Sequence, residues 1–178
     1  MKNKTVTAPY ETVGVKSFAK ELELETVYEG RGEMTLSSIS VSRPGLLLSG
    51  YYEHFDNTRI EVMGHAESEY VAAQNPERRM QVLDELFKRD IPCLIISRNL
   101  DFPEETLALA QKYKCPLFRS PKITTVLIND ITAYQSELLA PTEVVHGVLM
   151  DVSGIGILIM GKSGVGKSEI ALELISRG

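Results

Sequence analysis

A glycine-rich octet, Gly161-Lys162-Ser163-Gly164-Val165-Gly166-Lys167-Ser168, constrains local folding more than any other stretch of this 178-residue chain. It fits the pattern Gly, four residues, Gly, Lys, Ser/Thr without a gap. Its glycines permit backbone angles closed to other residues, so successive N–H groups can turn inward toward phosphate oxygens. An apolar run, Ile155 to Met160, precedes the octet, and an amphipathic stretch from Lys167 to Ser176 follows it. That order predicts strand, loop and helix, with the positive end of the helix dipole at the loop. On this reading residues 161 to 168 cradle a phosphate, Lys167 bridges β- and γ-phosphates, and the Ser168 hydroxyl is placed to ligate magnesium. The motif speaks strongly for phosphate binding and says little about reaction type.

A second apolar run, Val144 to Val152, reaches the first through Ser153-Gly154. A two-residue loop carrying glycine predicts an antiparallel hairpin. Its register pairs Val152 with Ile155 and, stepping outward, sets His146 opposite Gly161. An imidazole there could donate to a bound phosphate or move a proton. A strand-end histidine satisfied by backbone fits the spacing as well, and a bulge at Gly154 or Gly156 would shift the register. Asp151 beside the turn and Glu169 in the first helical turn suit structural roles, the latter favoured by the dipole alone. His54 and His65 have no acidic or nucleophilic partner at informative spacing and read as surface or loop residues.

Upstream, apolar positions at helical spacing occupy residues 13 to 22, and Leu24 to Tyr28 reads as a short strand. Ser42-Arg43-Pro44-Gly45 breaks the chain before the apolar run Leu46 to Tyr52, and Arg59 to Gly64 reads as a strand. Asn75-Pro76-Glu77 predicts a helix start, with Met80, Leu83, Leu86 and Phe87 along one face. Ile91 to Ser97 is almost wholly apolar, as in a strand covered on both faces. A helix opened by Asp101 to Glu105 and closed by Lys112 and Lys114 follows, then a strand at Pro116 to Phe118. The last helix of this region runs from Ile123 to Leu139, with Ile123, Leu127, Ile131, Tyr134 and Leu138 on one side. This rhythm predicts an α/β fold: an N-terminal layered α/β domain with a mainly parallel sheet over residues 1 to 138. A boundary at Leu139-Ala140-Pro141-Thr142 then opens an incomplete P-loop domain over 139 to 178, built of an antiparallel strand pair, the loop and a helix.

With 43% hydrophobic and 24% charged residues the chain has ample core-forming material, which excludes wholesale disorder. A net charge of −5, with no basic cluster longer than Arg78-Arg79, argues against nucleic-acid or membrane-surface binding. Cys93 and Cys115 lie in apolar runs without a Cys or His at metal-ligand spacing, so buried free thiols are expected. The basic N-terminus, Met1 to Thr5, is followed by no apolar run of signal-peptide or membrane-span length, and a cytoplasmic location is the expectation.

The run from Val145 to Gly178, with His146-Gly147-Val148-Leu149-Met150-Asp151, the octet, and Ala171-Leu172-Glu173-Leu174-Ile175-Ser176-Arg177-Gly178, closely resembles HPr kinase/phosphorylase. Ser42-Arg43-Pro44-Gly45-Leu46, Gly50-Tyr51-Tyr52, Arg59-Ile60-Glu61-Val62-Met63-Gly64 and Ile91-Pro92-Cys93-Leu94-Ile95-Ile96 resemble that family's N-terminal domain. The resemblance implies a bifunctional serine-protein kinase/phosphorylase of carbohydrate regulation. Such an enzyme phosphorylates a serine of the phosphocarrier protein HPr with ATP or pyrophosphate and Mg2+, and reverses the reaction with inorganic phosphate. Carried across by position, it implies His146 and Lys167 as active-site residues. Gly161, Lys162, Ser163, Gly164, Val165, Gly166, Lys167 and Ser168 become the nucleotide or pyrophosphate cradle, and Ser168 a magnesium ligand. It also implies a homo-oligomer, a hexamer in the family. Lys162 departs mildly from the pattern, since an acidic residue is frequent there.

In the family the sequence continues through an Asp pair that supplies the proton-transferring base, then a magnesium carboxylate and a catalytic arginine. The resemblance therefore implies a truncated polypeptide without kinase turnover by itself. Another P-loop NTPase or a carboxykinase-like enzyme is the alternative within enzymes. A non-catalytic assembly or regulatory role for the first domain is the alternative outside them.

Overall fold

A computed structural model describes residues 10–141 and 145–177. The basic N-terminus Met1 to Thr5, Thr142 at the expected boundary, and Val144 at the expected strand start lie outside the described residues. The chain divides into two compact units, Met1–Ala140 and Pro141–Gly178.

In the first unit, the apolar alternation around Ile60 and Ile95 builds the centre of a five-stranded sheet. Its strands are β2 (Glu25–Tyr28), β4 (Val41–Ser42), β5 (Ile60–Met63), β6 (Leu94–Ile96) and β7 (Leu117–Arg119), in the order β2-β7-β6-β5-β4. The β4·β5, β5·β6 and β6·β7 pairs are parallel, and β2 closes one edge antiparallel to β7. The sheet is thus mainly parallel, as the alternating rhythm predicts, with one antiparallel edge strand. Helices cover both faces, which is why β5 and β6 are buried throughout instead of alternating.

Successive strand residues point to opposite faces, and the core splits accordingly. One face packs Met63, Leu94, Ile96 and Leu117 against four helices. These are α2 (Gly45–Leu48), α3 (His65–Ala72), α4 (Pro76–Phe87) and α5 (Glu104–Tyr113). The other face packs Ile60, Val62, Cys93, Ile95 and Phe118 against α1 (Val15–Glu21) and α6 (Thr124–Leu138). A small antiparallel pair, β1 (Glu11–Gly14) with β3 (Glu33–Leu36), buries Met34 and Leu36 in that same cluster. Phe18 meets Phe118 at 5.6 Å and Tyr134 at 5.5 Å between ring centroids, tying α1 and α6 to the sheet.

Several sequence expectations need adjustment. Met80 does not join the buried face of α4: it is 41% exposed, and Val82 takes the inward place beside Leu83, Leu86 and Phe87. Ile123 precedes the first turn of α6 as its N-cap and stays exposed, while Leu127 and Ile131 carry the buried face. The helix expected over residues 13 to 22 begins at Val15, because Val13 and Gly14 are spent on pairing with Met34 and Glu33. Asn75 caps α4 as expected, its side chain accepting from Arg78 N at 2.9 Å with Pro76 at the first helical position.

The second unit holds β8 (Gly147–Val152), β9 (Ile155–Met160) and α7 (Lys167–Ser176). Met150 and Ala171 are its buried apolar residues among those described, while Leu149, Ile155, Met160 and Leu172 are exposed.

Cys93 and Cys115 are buried free thiols. Burial raises Cys93 well above the ordinary thiol range and pushes Cys115 up to about 12, so neither ionises near neutrality. Among the described residues no helix is long and apolar enough to cross a membrane.

Candidate phosphate-binding site

The strand pair that leads into the glycine loop is a regular antiparallel ladder with no shift from Val152↔Ile155 out to Gly147↔Met160. Ser153 and Gly154 carry it around with φ of 53° and 80°, the left-handed pair that a two-residue hairpin turn uses. Asp151 Oδ1 accepts from Gly154 N at 2.9 Å and so holds that turn. Its carboxylate is accounted for structurally, in line with the reading of Asp151 as a turn residue. His146 and Gly161 each stand one residue beyond the last rung, on adjacent strand ends, and His146 is exposed. Neither Gly154 nor Gly156 introduces a bulge.

Beyond Met160 the chain turns through the octet and enters α7 at Lys167. Gly164 (φ 82°) and Gly166 (φ 84°) adopt the left-handed region, which orients consecutive N–H groups to one side. At Gly166 the positive φ by itself would strain a side chain, while the Glu169 carboxylate near an added Cβ can swing away. Gly166 is also the N-cap of α7, with Ile170 N donating to its carbonyl at 3.0 Å. The N–H groups of Lys167, Ser168 and Glu169 therefore have no intrahelical partner and face the loop mouth. Glu169 sits in this first turn, where its carboxylate complements the dipole.

Lys167 folds back over the loop. Its Nζ donates to Gly161 O at 2.8 Å and to Lys162 O at 2.7 Å. Two of the three ammonium protons are thus held by the loop's own carbonyls, which fixes a positive charge at the loop. The donor set suits an anion: backbone N–H groups, a helix N-terminus, an ammonium and the Ser168 hydroxyl. Ser168 follows Lys167 in the first turn of α7, so its hydroxyl is the oxygen at the cradle that a magnesium ion could share with phosphate. Among the described residues no group of three or more His, Cys, Asp or Glu is arranged to hold a metal ion by itself.

Sequence reasoning missed the polar cluster where α3 leaves the sheet in the first unit. Glu67, 8% exposed at its side chain, accepts from Arg43 Nη2 at 2.7 Å and from Gly64 N at 3.0 Å. Burial pushes its carboxyl up, but the Arg43 guanidinium and the backbone donors outweigh that, and the group lies below the usual carboxylate range. Ser97 Oγ shares a 2.7 Å hydrogen bond with Thr124 Oγ1 beside it. No local pattern could have shown this, because Arg43, Glu67, Ser97 and Thr124 meet only through the strand order. His54 and His65 are both exposed, as expected of surface residues.

A layered α/β domain followed by strand pair, glycine loop and helix defines a P-loop protein with an added N-terminal domain. The HPr serine kinase N-terminus matches residues 13–134, and the HPr serine kinase C-terminal domain matches residues 137–178. The chain belongs to the HPr serine kinase family. An HPr kinase/phosphorylase of Peptoclostridium acidaminophilum is 46% identical over 167 residues, covering 93% of this chain and 54% of that protein. One of Caldicellulosiruptor bescii is 40% identical over 171 residues, covering 95% of this chain and 54% of that protein. The chain thus spans about half the length of the curated relatives it matches. A crystal structure of the CBS and DRTGG domains of the Clostridium perfringens pyrophosphatase regulatory region is similar at a TM-score of 0.47 and 16% identity. That match covers 67% of this chain and 46% of the other, a likeness too low to argue from.

Proposed function

We propose that this chain is the N-terminal domain and the phosphate-loop portion of a kinase/phosphorylase that acts on a serine of HPr. The observation that carries the reading is the Lys167 ammonium, pinned at 2.8 and 2.7 Å to carbonyls of a glycine loop at a helix N-terminus, in a chain of the HPr serine kinase family. ATP or pyrophosphate is the phosphoryl donor, and inorganic phosphate takes the group back in the reverse direction. Residues Gly161 to Ser168 bind and orient the donor's phosphates. Lys167 exchanges its carbonyl contacts for phosphate oxygens and neutralises the charge that spreads over them during transfer. Ser168 would hold magnesium beside the bound phosphates, where the ion would supply Lewis-acid polarisation of the phosphoryl oxygens.

His146, on the strand end beside Gly161, is proposed as an active-site residue that hydrogen-bonds phosphate or holds a proton near it. The base that takes the serine proton is assigned to the part of the family's sequence that follows residue 178. Residues 1 to 138 form an assembly or regulatory domain, in a homo-oligomer with a cytoplasmic location, and the P-loop domain begins at residue 139.

The test is phosphoserine formation on HPr by a protein spanning the relatives' full length, with and without Lys167→Ala. Loss of phosphoserine in the variant supports the reading. Nucleotide hydrolysis without phosphorylated HPr would replace it with another P-loop NTPase. Transfer to HPr by the 178-residue chain alone would refute the assignment of the base to later residues.

A further inference from the structure

Glu61 stands inside the parallel sheet, with Ser42 of β4 and Leu94 of β6 as register partners, and is 0% exposed. Among the described residues neither of its carboxyl oxygens has a hydrogen-bond partner of normal geometry. The Ser42 hydroxyl lies near enough to favour the charged form, but it is not in bonding geometry. Arg59 and Asp56, from the segment entering β5, act on it with opposite signs. They are tied to each other at 2.9 Å, so they largely cancel. The remaining ionisable neighbour is the buried thiol of Cys93, at the entry to β6, which stays neutral. A carboxylate left ionised here would lose its hydration without compensation, so burial keeps the group protonated and pushes it up to about 8. Glu67, also buried, lies on the other side of its ordinary value because Arg43 and a backbone N–H receive it.

At the entry to β5 lies a cavity of about 110 Å³. Ser42, Asp56 and Arg59, the groups that act on Glu61, line it together with Arg43, Tyr51 and Glu53. At ~30 Å³ per water, that is room for about three waters. The segment between α2 and β5, which carries His54 at φ 61°, forms one wall of the cavity. Arg89, just past α4, helps anchor this segment, its guanidinium 5.3 Å from the Phe55 ring centre. Phe55 packs on the core edge, Asn57 Nδ2 donates to Arg89 O at 3.0 Å, and the Arg89 guanidinium lies 4.9 Å from the Tyr52 ring centre.

We propose that Glu61 is a proton-operated latch for the segment from Ser49 to Arg59. Neutral, it leaves the segment closed against the β4–β5 edge. On giving its proton to bulk water, the carboxylate draws water through the cavity, and the segment detaches while the rest of the sheet holds. Tyr51, Tyr52 and His54, exposed in the closed state, then leave their present arrangement only on the alkaline side.

The experiment is amide hydrogen exchange on the 178-residue protein at about pH 6 and about pH 9, corrected for the intrinsic exchange rate, in wild type and Glu61→Gln. Protection of the amides from 49 to 59 is expected to fall about tenfold or more in wild type, and to stay level in the variant. Equal loss in both proteins, or unchanged protection in wild type, would overturn the latch. A wild-type 13C titration of the Glu61 carboxyl makes the test independent of how well the variant folds. A midpoint between about 7 and 9 supports the proposal, and one in the ordinary carboxylate range sinks it.

Discussion

Lys167 spends two ammonium protons on carbonyls of its own loop, so its contribution is to charge placement and not to the core. Lys167→Ala is expected to weaken pyrophosphate binding by about tenfold or more in calorimetric titration. Its urea midpoint should stay within about 0.5 kcal/mol of wild type, since the side chain packs against no core. Gly30 is the opposite kind of residue. Its φ is 61°, and an added Cβ would come within 2.6 Å of Lys114 O and of Pro116 N, both backbone atoms that cannot swing away. Gly30→Ala should therefore cost about 2 kcal/mol or more in urea denaturation, without touching phosphate binding. The octet's glycines were legible from sequence because they recur in a pattern. Gly30 was legible only as a strand end, because the backbone it must clear comes from residues more than eighty positions later.

At the scale of elements, α4 shows local signals deciding local structure. Asn75 and Pro76 start the helix where the sequence places it, and Asn75→Ala is expected to cost about 1 kcal/mol by urea denaturation. Which side of α4 faces inward was only partly legible. Met80 fits the apolar stripe but lies at the surface, and Val82 takes the inward place beside Leu83 and Leu86. The edge formed by β4 and β5 sets two buried carboxyls in opposition. Glu67 lies below its unfolded value, so its contribution is present above that value and is lost as pH falls through the folded one. Glu61 lies above its unfolded value, so its contribution is complete below about 4.5 and is lost as pH rises toward about 8. Unfolding free energy should consequently fall between pH 5 and 8, by at most about 1.4 kcal/mol per pH unit. Glu61→Gln should remove that slope, as read from urea melts across the range.

At the scale of the molecule, the two units differ in how much apolar surface they hide. The first closes a sheet between two helical layers and buries both clusters nearly completely. The second leaves Leu149, Ile155, Met160 and Leu172 open, with Met150 and Ala171 buried. A polypeptide ending at residue 140 is expected to melt at the same urea midpoint as the 178-residue chain. Amides of β8 and β9 should exchange far faster than those of β5 and β6, because two buried apolar residues stabilise little against chain entropy. Equal protection in both sheets would show that the second unit draws stability from elsewhere.

By itself the sequence determined what depends on neighbours along the chain. It placed the turn at Ser153-Gly154, the register that brings His146 to the level of Gly161, the strand–loop–helix around Lys167, the cap at Asn75 and the alternation that makes a parallel sheet. Each of these is a short-range consequence of backbone freedom, capping or periodicity, and the family motifs lie on the same stretches. Tertiary structure alone decided the strand order β2-β7-β6-β5-β4, the β1·β3 pair, and the meeting of Arg43 with Glu67. It also decided the fate of Glu61, which alternation alone would have left as an ordinary polar residue in a strand. Whether a carboxyl is paired or stranded depends on which distant residues the fold brings beside it. At the β4–β5 edge the fold supplied a hydrogen-bonded guanidinium to one glutamate and no such partner to the other.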